Sequence, residues 1–373
     1  MFRIILISII TFMHTYVVWR SSSVPFLREH IPGKFFIIGG IIIWAIFFIG
    51  LSHGYGKTGT IAGILEFLGM SWMAVVFIAF VLLFITDIVT GFGFFLPRFS
   101  PYLRGITLVV VAMLTVIAFL QGMHAPVIKD YEVHLAELPD EMNGTVIAVL
   151  SDLHLGSLLG EKWLDKRVNQ VQALQPDMVV LLGDIFEGRL ESHRKLLPIL
   201  RSISAPLGTY AVLGNHEFYS GTERNISLFN EAGIPVLRDS WVEVKPGLVL
   251  AGVDDASGFR RSGERNDSIL KATTDLPPGI VILLSHQPVN AVKVAKTGVN
   301  LMLSGHTHGG QLWPFGYLVK RVYPLFAGRY EVSGMIVIVS RGTGTWGPRM
   351  RLWHPGEIIR LKLLRKEKQD MLE

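Results

Sequence analysis

Four long apolar runs crowd the first third of the chain, at residues 4–19, 35–51, 70–86 and 105–123. Each approaches the roughly 20 residues a helix needs to cross the hydrocarbon core of a bilayer. Lipid offers no hydrogen bonds, so such a run can cross only as a helix that satisfies its own backbone. The first run is the shortest and carries His14, and Ser21 to Ser23 behind it make a poor cleavage pattern for a signal peptide. It reads as a span. Residues 1–124 are therefore expected to form a four-helix transmembrane region and residues 125–373 a separate domain.

Charge supports that division. Residues 1–124 hold 7 Lys+Arg against 3 Asp+Glu, and the remainder holds 28 against 27. The high sequence pI of 9.3 thus comes from loops between the apolar runs, not from a basic face. That balance argues against a nucleic-acid partner. Arg20, Arg28, Lys34, Arg98 and Arg104 lie on one side of the spans, and Arg3, Lys57 and Lys129 on the other. The positive-inside rule puts the larger set in the cytoplasm. The expected protein is integral to the cell (inner) membrane, with the domain after Met123 facing outside. Asp87, at the end of the third run, reads as an interfacial residue. The loop HGYGKTG, residues 53–59, looks like a phosphate-binding loop, but Leu51 stands where that motif needs glycine and no strand precedes it. It reads as a connection between spans. Cysteine is absent, which excludes disulfides, thiolate metal sites and a cysteine nucleophile.

Beyond Pro126 the pattern changes to short apolar runs separated by polar segments. Strands are expected at 145–150, 178–182, 209–213, 248–253, 280–284, 300–303, 335–339 and 357–363, and helices at 162–174, 192–202, 223–231 and 289–295. This alternation is that of an α/β domain. Five of the strands run directly into chemistry-bearing residues: Ser151-Asp152-Leu153-His154, Gly183-Asp184, Gly214-Asn215-His216-Glu217, Ser285-His286, and Gly305-His306-Thr307-His308. Ligand sites of α/β sheets lie at the carboxyl ends of strands, so the five clusters should meet in one crevice. Carboxylate, carboxamide and imidazole without thiolate suit Mn, Fe, Zn or Mg. Eight such candidates are too many for one ion and fit two.

The ordered set D-x-H, G-D, G-N-H-E, S-H and G-H-T-H resembles the calcineurin-like metallophosphoesterases, over about two-thirds of the chain. GHTHGGQ and SRGTGTWGPRMRLWHPGEI resemble the subgroup that joins this domain to membrane segments. The resemblance implies a β-sandwich flanked by helices with two divalent metal ions at the sheet edge. By motif, Asp152, His154, Asp184 and His308 would hold one ion. Asp184 would bridge to the second, completed by Asn215, His286 and His306. His216 would lie near the substrate and either protonate the leaving alkoxide or stabilise the phosphoryl charge, and Glu217 would support the turn or make a contact behind the ligands. The implied reaction is attack of a metal-bridging hydroxide on phosphorus, in a phosphomonoester, phosphodiester or pyrophosphate. Lipid substrates have precedent among related enzymes.

The segment 311–329 reads as a mixed aromatic and basic loop bordering the site, with Trp313 a candidate substrate contact. A lipid-linked phosphoester at a membrane surface would suit it. Arg341 is a candidate for binding a phosphate, as are Arg349 and Arg351. The tail 360–368 is alternately basic and could rest on membrane lipids. The alternative reading is a membrane receptor or binding protein whose domain holds metal or nucleotide without turnover. Oligomeric state is not legible.

Overall fold

A computed structural model describes residues 2–57, 59–188, 193–258 and 267–366. The chain divides into two compact units, Met1–His124 with Gly347–Trp353, and Ala125–Trp346 with His354–Glu373.

The first unit holds four long helices, α1 (Phe2–Ser21), α2 (Gly33–Ile49), α3 (Thr60–Val89) and α4 (Ser100–Met123). All four are long and apolar enough to cross a membrane. The third run is longer than its apolar stretch suggested, because Glu66 is buried in the helix packing and does not end the helix. The loop 53–59 starts as a π-helical turn, Gly50–Gly54, that prolongs α2; Thr58 lies outside the described residues. Asp87, near the end of α3, is wholly buried among the helices. The Tyr16 hydroxyl donates to it, Arg20 pairs with it, and Arg104 Nε donates to it at 2.9 Å. A buried carboxylate persists only with such partners. Segment Gly347–Trp353 is far from α4 in sequence but belongs to this unit, where Arg351 N–H bonds the Ala118 carbonyl at 2.9 Å. Arg349 and Arg351 lie in this segment.

The second unit contains eleven strands among its described residues, in two sheets. They are β1 (Val127–Leu135), β2 (Val146–Leu150), β3 (Met178–Leu181), β4 (Thr209–Ala211), β5 (Ser240–Lys245), β6 (Leu248–Gly252), β7 (Ile280–Leu284), β8 (Leu301–Ser304), β9 (Gly328–Val332), β10 (Met335–Val339) and β11 (Glu357–Arg365). One sheet runs β1-β11-β2-β3-β4 and the other β5-β6-β7-β8-β10-β9. Strands β2, β3 and β4 are mutually parallel, as are β6, β7, β8 and β10.

The parallel strands β2, β3, β7 and β10 are apolar along their whole length because both faces are covered. Ile147 and Val149 point into a shared core with Leu250, Ile282 and Leu303 of the other sheet. Their neighbours Ala148 and Leu150 pack outward on Leu164, Val168 and Val171 of helix α5 (Glu161–Gln172). Val249, Leu283 and Met302 do the same on the far side, against Ile269 and Val294. The result is a β-sandwich between helical layers, as the resemblance implied.

Three strands escaped the sequence reading: β1, β5 and β9. All are half-exposed and carry charged residues, so none shows a clean apolar alternation. The segment 311–329 is not a loop. Its middle is a helix, Phe315–Val322, and its end enters β9. Most of the basic tail is strand β11, buried at five of its first seven positions, while residues 367–368 lie outside the described residues. The expected helix 192–202 is reduced to Arg194–Leu196 and Leu197–Arg201, and residue 192 is not described.

Candidate metal centre

Each parallel strand releases its chain at the same edge of the sandwich, and the five sequence clusters meet there. Three overlapping groups have ligand atoms within 4.8 Å of one another: Asp152 with His154 and His308, His154 with Asp184 and His216, and Asp184 with His286 and His306. His154 and His308 turn their Nε2 atoms together at 3.1 Å. His308 Nε2 lies 3.5 Å from Asp152 Oδ1. Asp184 Oδ2 lies 3.2 Å from His286 Nε2 and 3.9 Å from His154 Nε2. His306 Nδ1 faces His286 Nε2 at 3.3 Å. Asp184 is therefore shared between the two halves of the cluster.

The backbone is bent to make this possible. Asp152, His154, Asp184, His306 and His308 all adopt left-handed φ, between 46° and 71°. Each such residue costs about 1–3 kcal/mol, so the surrounding structure must hold them there. Two glycines allow the close approach. A Cβ on Gly214 would fall 2.2 Å from Asp184 Oδ1, and one on Gly305 would fall 1.8 Å from Ser151 Oγ.

Several groups fix the imidazoles. The Leu182 carbonyl accepts from His286 Nδ1 at 2.7 Å, which leaves Nε2 turned to the cluster. The Tyr323 hydroxyl gives its proton to Gln287 Oε1 at 3.2 Å and lies 2.9 Å from His306 Nε2. It accepts from that nitrogen, so His306 Nδ1 is left bare toward the cluster.

Glu187 was missed by sequence reasoning. Its Oε2 accepts from His154 Nδ1 at 2.9 Å and from His216 Nδ1 at 2.8 Å. Burial opposes its charge, yet the two imidazoles hold it well below the usual carboxylate range. Burial likewise works against a charged His216, but Glu187 and Asp184 overcome it and push the imidazole up to about 10. Burial and the neighbouring His286 take His306 the other way, down to about 4. Asp184 is buried, yet His286, His216 and His154 hold it well below its ordinary value. The only sequence signal for Glu187 was its position three residues after Asp184.

Of the two candidate substrate contacts, Arg341 lies beside Gly309, where its stem would meet a Cβ at 2.8 Å. Its Nε donates to the buried Glu357 at 2.8 Å, so this arginine ties the turn after β10 to the start of β11. Trp313 is half-buried in the turn before helix Phe315–Val322. The tryptophan next to His216 is instead Trp346, its ring centre 6.2 Å from the imidazole. Gln311 holds it there: its amide donates to the Trp346 carbonyl and accepts from the Trp346 N–H, both at 3.0 Å.

The donor set fits a pair of divalent cations. It is buried, free of thiolate and mixed in carboxylate and imidazole. Asn215 Oδ1 is also buried and has no hydrogen-bond partner, as a carboxamide ligand would be without its ion.

The chain is similar to known proteins. The sequence profile of the calcineurin-like phosphoesterases matches residues 145–310. An uncharacterized metallophosphoesterase of Aquifex aeolicus is 37% identical over 238 residues, covering 62% of this chain and 89% of that protein. A transmembrane protein with metallophosphoesterase domain from Danio rerio is 34% identical over 271 residues, 69% of this chain. That match spans 62% of the Danio rerio protein's own length. Among solved structures, a dimetal phosphatase from Danio rerio is similar at a TM-score of 0.38 and 15% identity, covering 54% of this chain and 88% of that one.

Proposed function

The chain belongs to the calcineurin-like metallophosphoesterase family, and from that premise we propose that it is a membrane-anchored, dinuclear-metal hydrolase of phosphoesters whose substrate is lipid-linked. The observation that carries the reading is the meeting of five strand-end clusters around Asp184, in a donor set with the chemistry of two divalent ions. Asp152, His154, Asp184 and His308 would hold one ion, and Asn215, His286 and His306 would complete the second across Asp184. Bound there, two such ions lower the pKa of water and offset charge on phosphoryl oxygens.

The protein's own groups supply the rest. Glu187 keeps His216 protonated and aims its Nε2 toward Asp184, 3.9 Å away. From that position the imidazolium donates a proton to the departing alkoxide. The four apolar helices support a substrate drawn from the membrane. Loop charge supports an orientation with the catalytic unit on the external face. A reporter fused after Met123 is expected to be active there, and cytoplasmic activity would reverse this orientation.

Purified full-length protein loaded with Mn²⁺ should hydrolyse bis-p-nitrophenyl phosphate. His216→Ala should lower kcat by about 10²–10⁴-fold, the usual worth of a positioned proton donor. If metal-loaded wild type cleaves no phosphoester offered, the receptor reading replaces this one.

A further inference from the structure

Three imidazoles of the metal centre take their direction from groups that only accept. The Leu182 carbonyl does this for His286, and the Glu187 carboxylate does it for His154 and His216. His306 differs. Its Nε2 meets the Tyr323 hydroxyl at 2.9 Å, and a phenol can either accept a proton from a neighbour or give one. Tyr323 by itself therefore allows two tautomers of His306. Either Nε2 carries the proton and Nδ1 is bare toward His286, or the reverse.

The choice is made two bonds further out. The Tyr323 hydroxyl lies 3.2 Å from Gln287 Oε1, and Gln287 Nε2 lies 3.0 Å from Asp255 Oδ1. A carboxamide has nearly the same shape either way round, so it too could face Tyr323 with a donor or an acceptor. Asp255 ends the ambiguity. Its carboxylate only accepts, and Ser257 N–H already holds its Oδ1 at 2.8 Å. Gln287 must turn its N–H₂ to Asp255, which presents Oε1 to Tyr323. Tyr323 must then give its proton to Gln287 and accept from His306 Nε2. Asp255 and Gln287 are both buried, so a reversed amide would set two oxygens face to face without water to separate them. Asp255 follows β6, Gln287 follows β7 and His306 follows β8, so the relay ties together three strand ends.

We propose that Asp255 is a positioning residue for the second ion: through Gln287 and Tyr323, its carboxylate fixes the proton of His306 on Nε2 and keeps Nδ1 bare for that ion. No proton travels along this chain; only its direction is set. The inference rests on the dinuclear reading of the centre and gives a part in it to a residue outside the ligand set.

Asp255→Ala removes the acceptor, and Gln287→Leu cuts the link with Asp255 in place. Asp255→Asn keeps an oxygen under the Ser257 N–H and is the conservative variant. Metal-free full-length protein carrying ¹⁵N-labelled histidine is compared in each form by NMR, because protonated and bare ring nitrogens resonate far apart. The spectrum of His306→Gln assigns the signal. Wild type and Asp255→Asn should show His306 protonated at Nε2 alone, and Asp255→Ala and Gln287→Leu should show both tautomers. Titration of those two variants with Mn²⁺ should leave the first ion's affinity unchanged and raise the second ion's Kd about 10–100-fold, the usual loss on removing an outer partner. A single Nε2-protonated tautomer in Asp255→Ala and Gln287→Leu overturns the proposal, as does His306 protonated at Nδ1 in wild type. Mixed tautomers in Asp255→Asn overturn it too, because the charge and not the acceptor would then be acting. These readouts need no turnover, so a wild type that binds both ions yet cleaves no phosphoester removes the hydrolase reading alone.

Discussion

Asp184→Asn should abolish phosphodiester hydrolysis, lowering kcat by about 10³-fold or more, because it removes the one charge shared by both halves of the cluster. Asparagine has the shape of aspartate, so the backbone has no steric reason to move. The Asp184 carboxylate is 2% exposed, and its Oδ1 accepts the His216 N–H at 2.8 Å. Its Oδ2 faces His286, His154 and His216 at 3.2, 3.9 and 3.9 Å. A neutral amide there would point either a weak acceptor or an N–H donor at the ions. Metal content measured on the purified variant should fall from two ions per chain to one or none, with far-UV circular dichroism unchanged. Retention of both ions and more than a tenth of the activity would show that Asp184 is not shared. Burial opposes the carboxylate's charge and the three imidazoles reverse that, so its folded pKa is depressed. Its contribution to stability is therefore present above the ordinary aspartate range and is lost as pH falls through the lowered value. Asp184→Asn should remove that dependence in metal-free protein.

What the sequence made legible was the site more than the fold around it. Asp152, Asp184, Asn215, His286 and His306 each follow an apolar run at once, and a parallel strand buried on both faces leaves such a residue at its carboxyl end. The covering elements were harder. Strands β1, β5 and β9 are half-exposed at sheet margins, so their alternation is weak. Helix Phe315–Val322 has eight residues and follows Trp313-Pro314, and its apolar stripe was hidden by aromatic and basic neighbours that look like a loop. Glu187 carries no local mark that separates it from a solvated glutamate. Only the fold brings His154 and His216, sixty-two residues apart in number, onto one carboxylate oxygen. The pairing of Arg341 with Glu357 was likewise hidden, since nothing in its own neighbourhood announces that partner.

Glu217→Gln should destabilise the catalytic unit by about 4 kcal/mol. The Glu217 side chain is wholly buried and accepts four backbone N–H bonds. Those of Asp184, Ile185 and Phe186 arrive at 2.9, 2.8 and 3.0 Å, and that of Gly214 at 2.8 Å. The last satisfies a free donor at the start of helix Asn215–Ser220, as a glutamate in the first turn does. The other three order the loop in which Asp184 holds its left-handed φ of 52°. One carboxylate thus joins the β3 loop to the β4 loop and sets the distance between Asp184 and Asn215. Glutamine keeps the size but offers one acceptor oxygen, so two of the four amides meet an N–H₂ group and lose their partner inside the protein. Leaving buried donors unpaired costs more than the bonds themselves were worth. In detergent-solubilised full-length protein the catalytic unit should melt about 10 °C lower. Below that temperature the loops should relax from the strained ligand geometry, so metal affinity should fall even where the fold survives. A melting point within 2 °C of wild type, with both ions retained, would mean the strained loops are held by something other than this clamp, and the packing of Gly214 on Asp184 would be the next candidate.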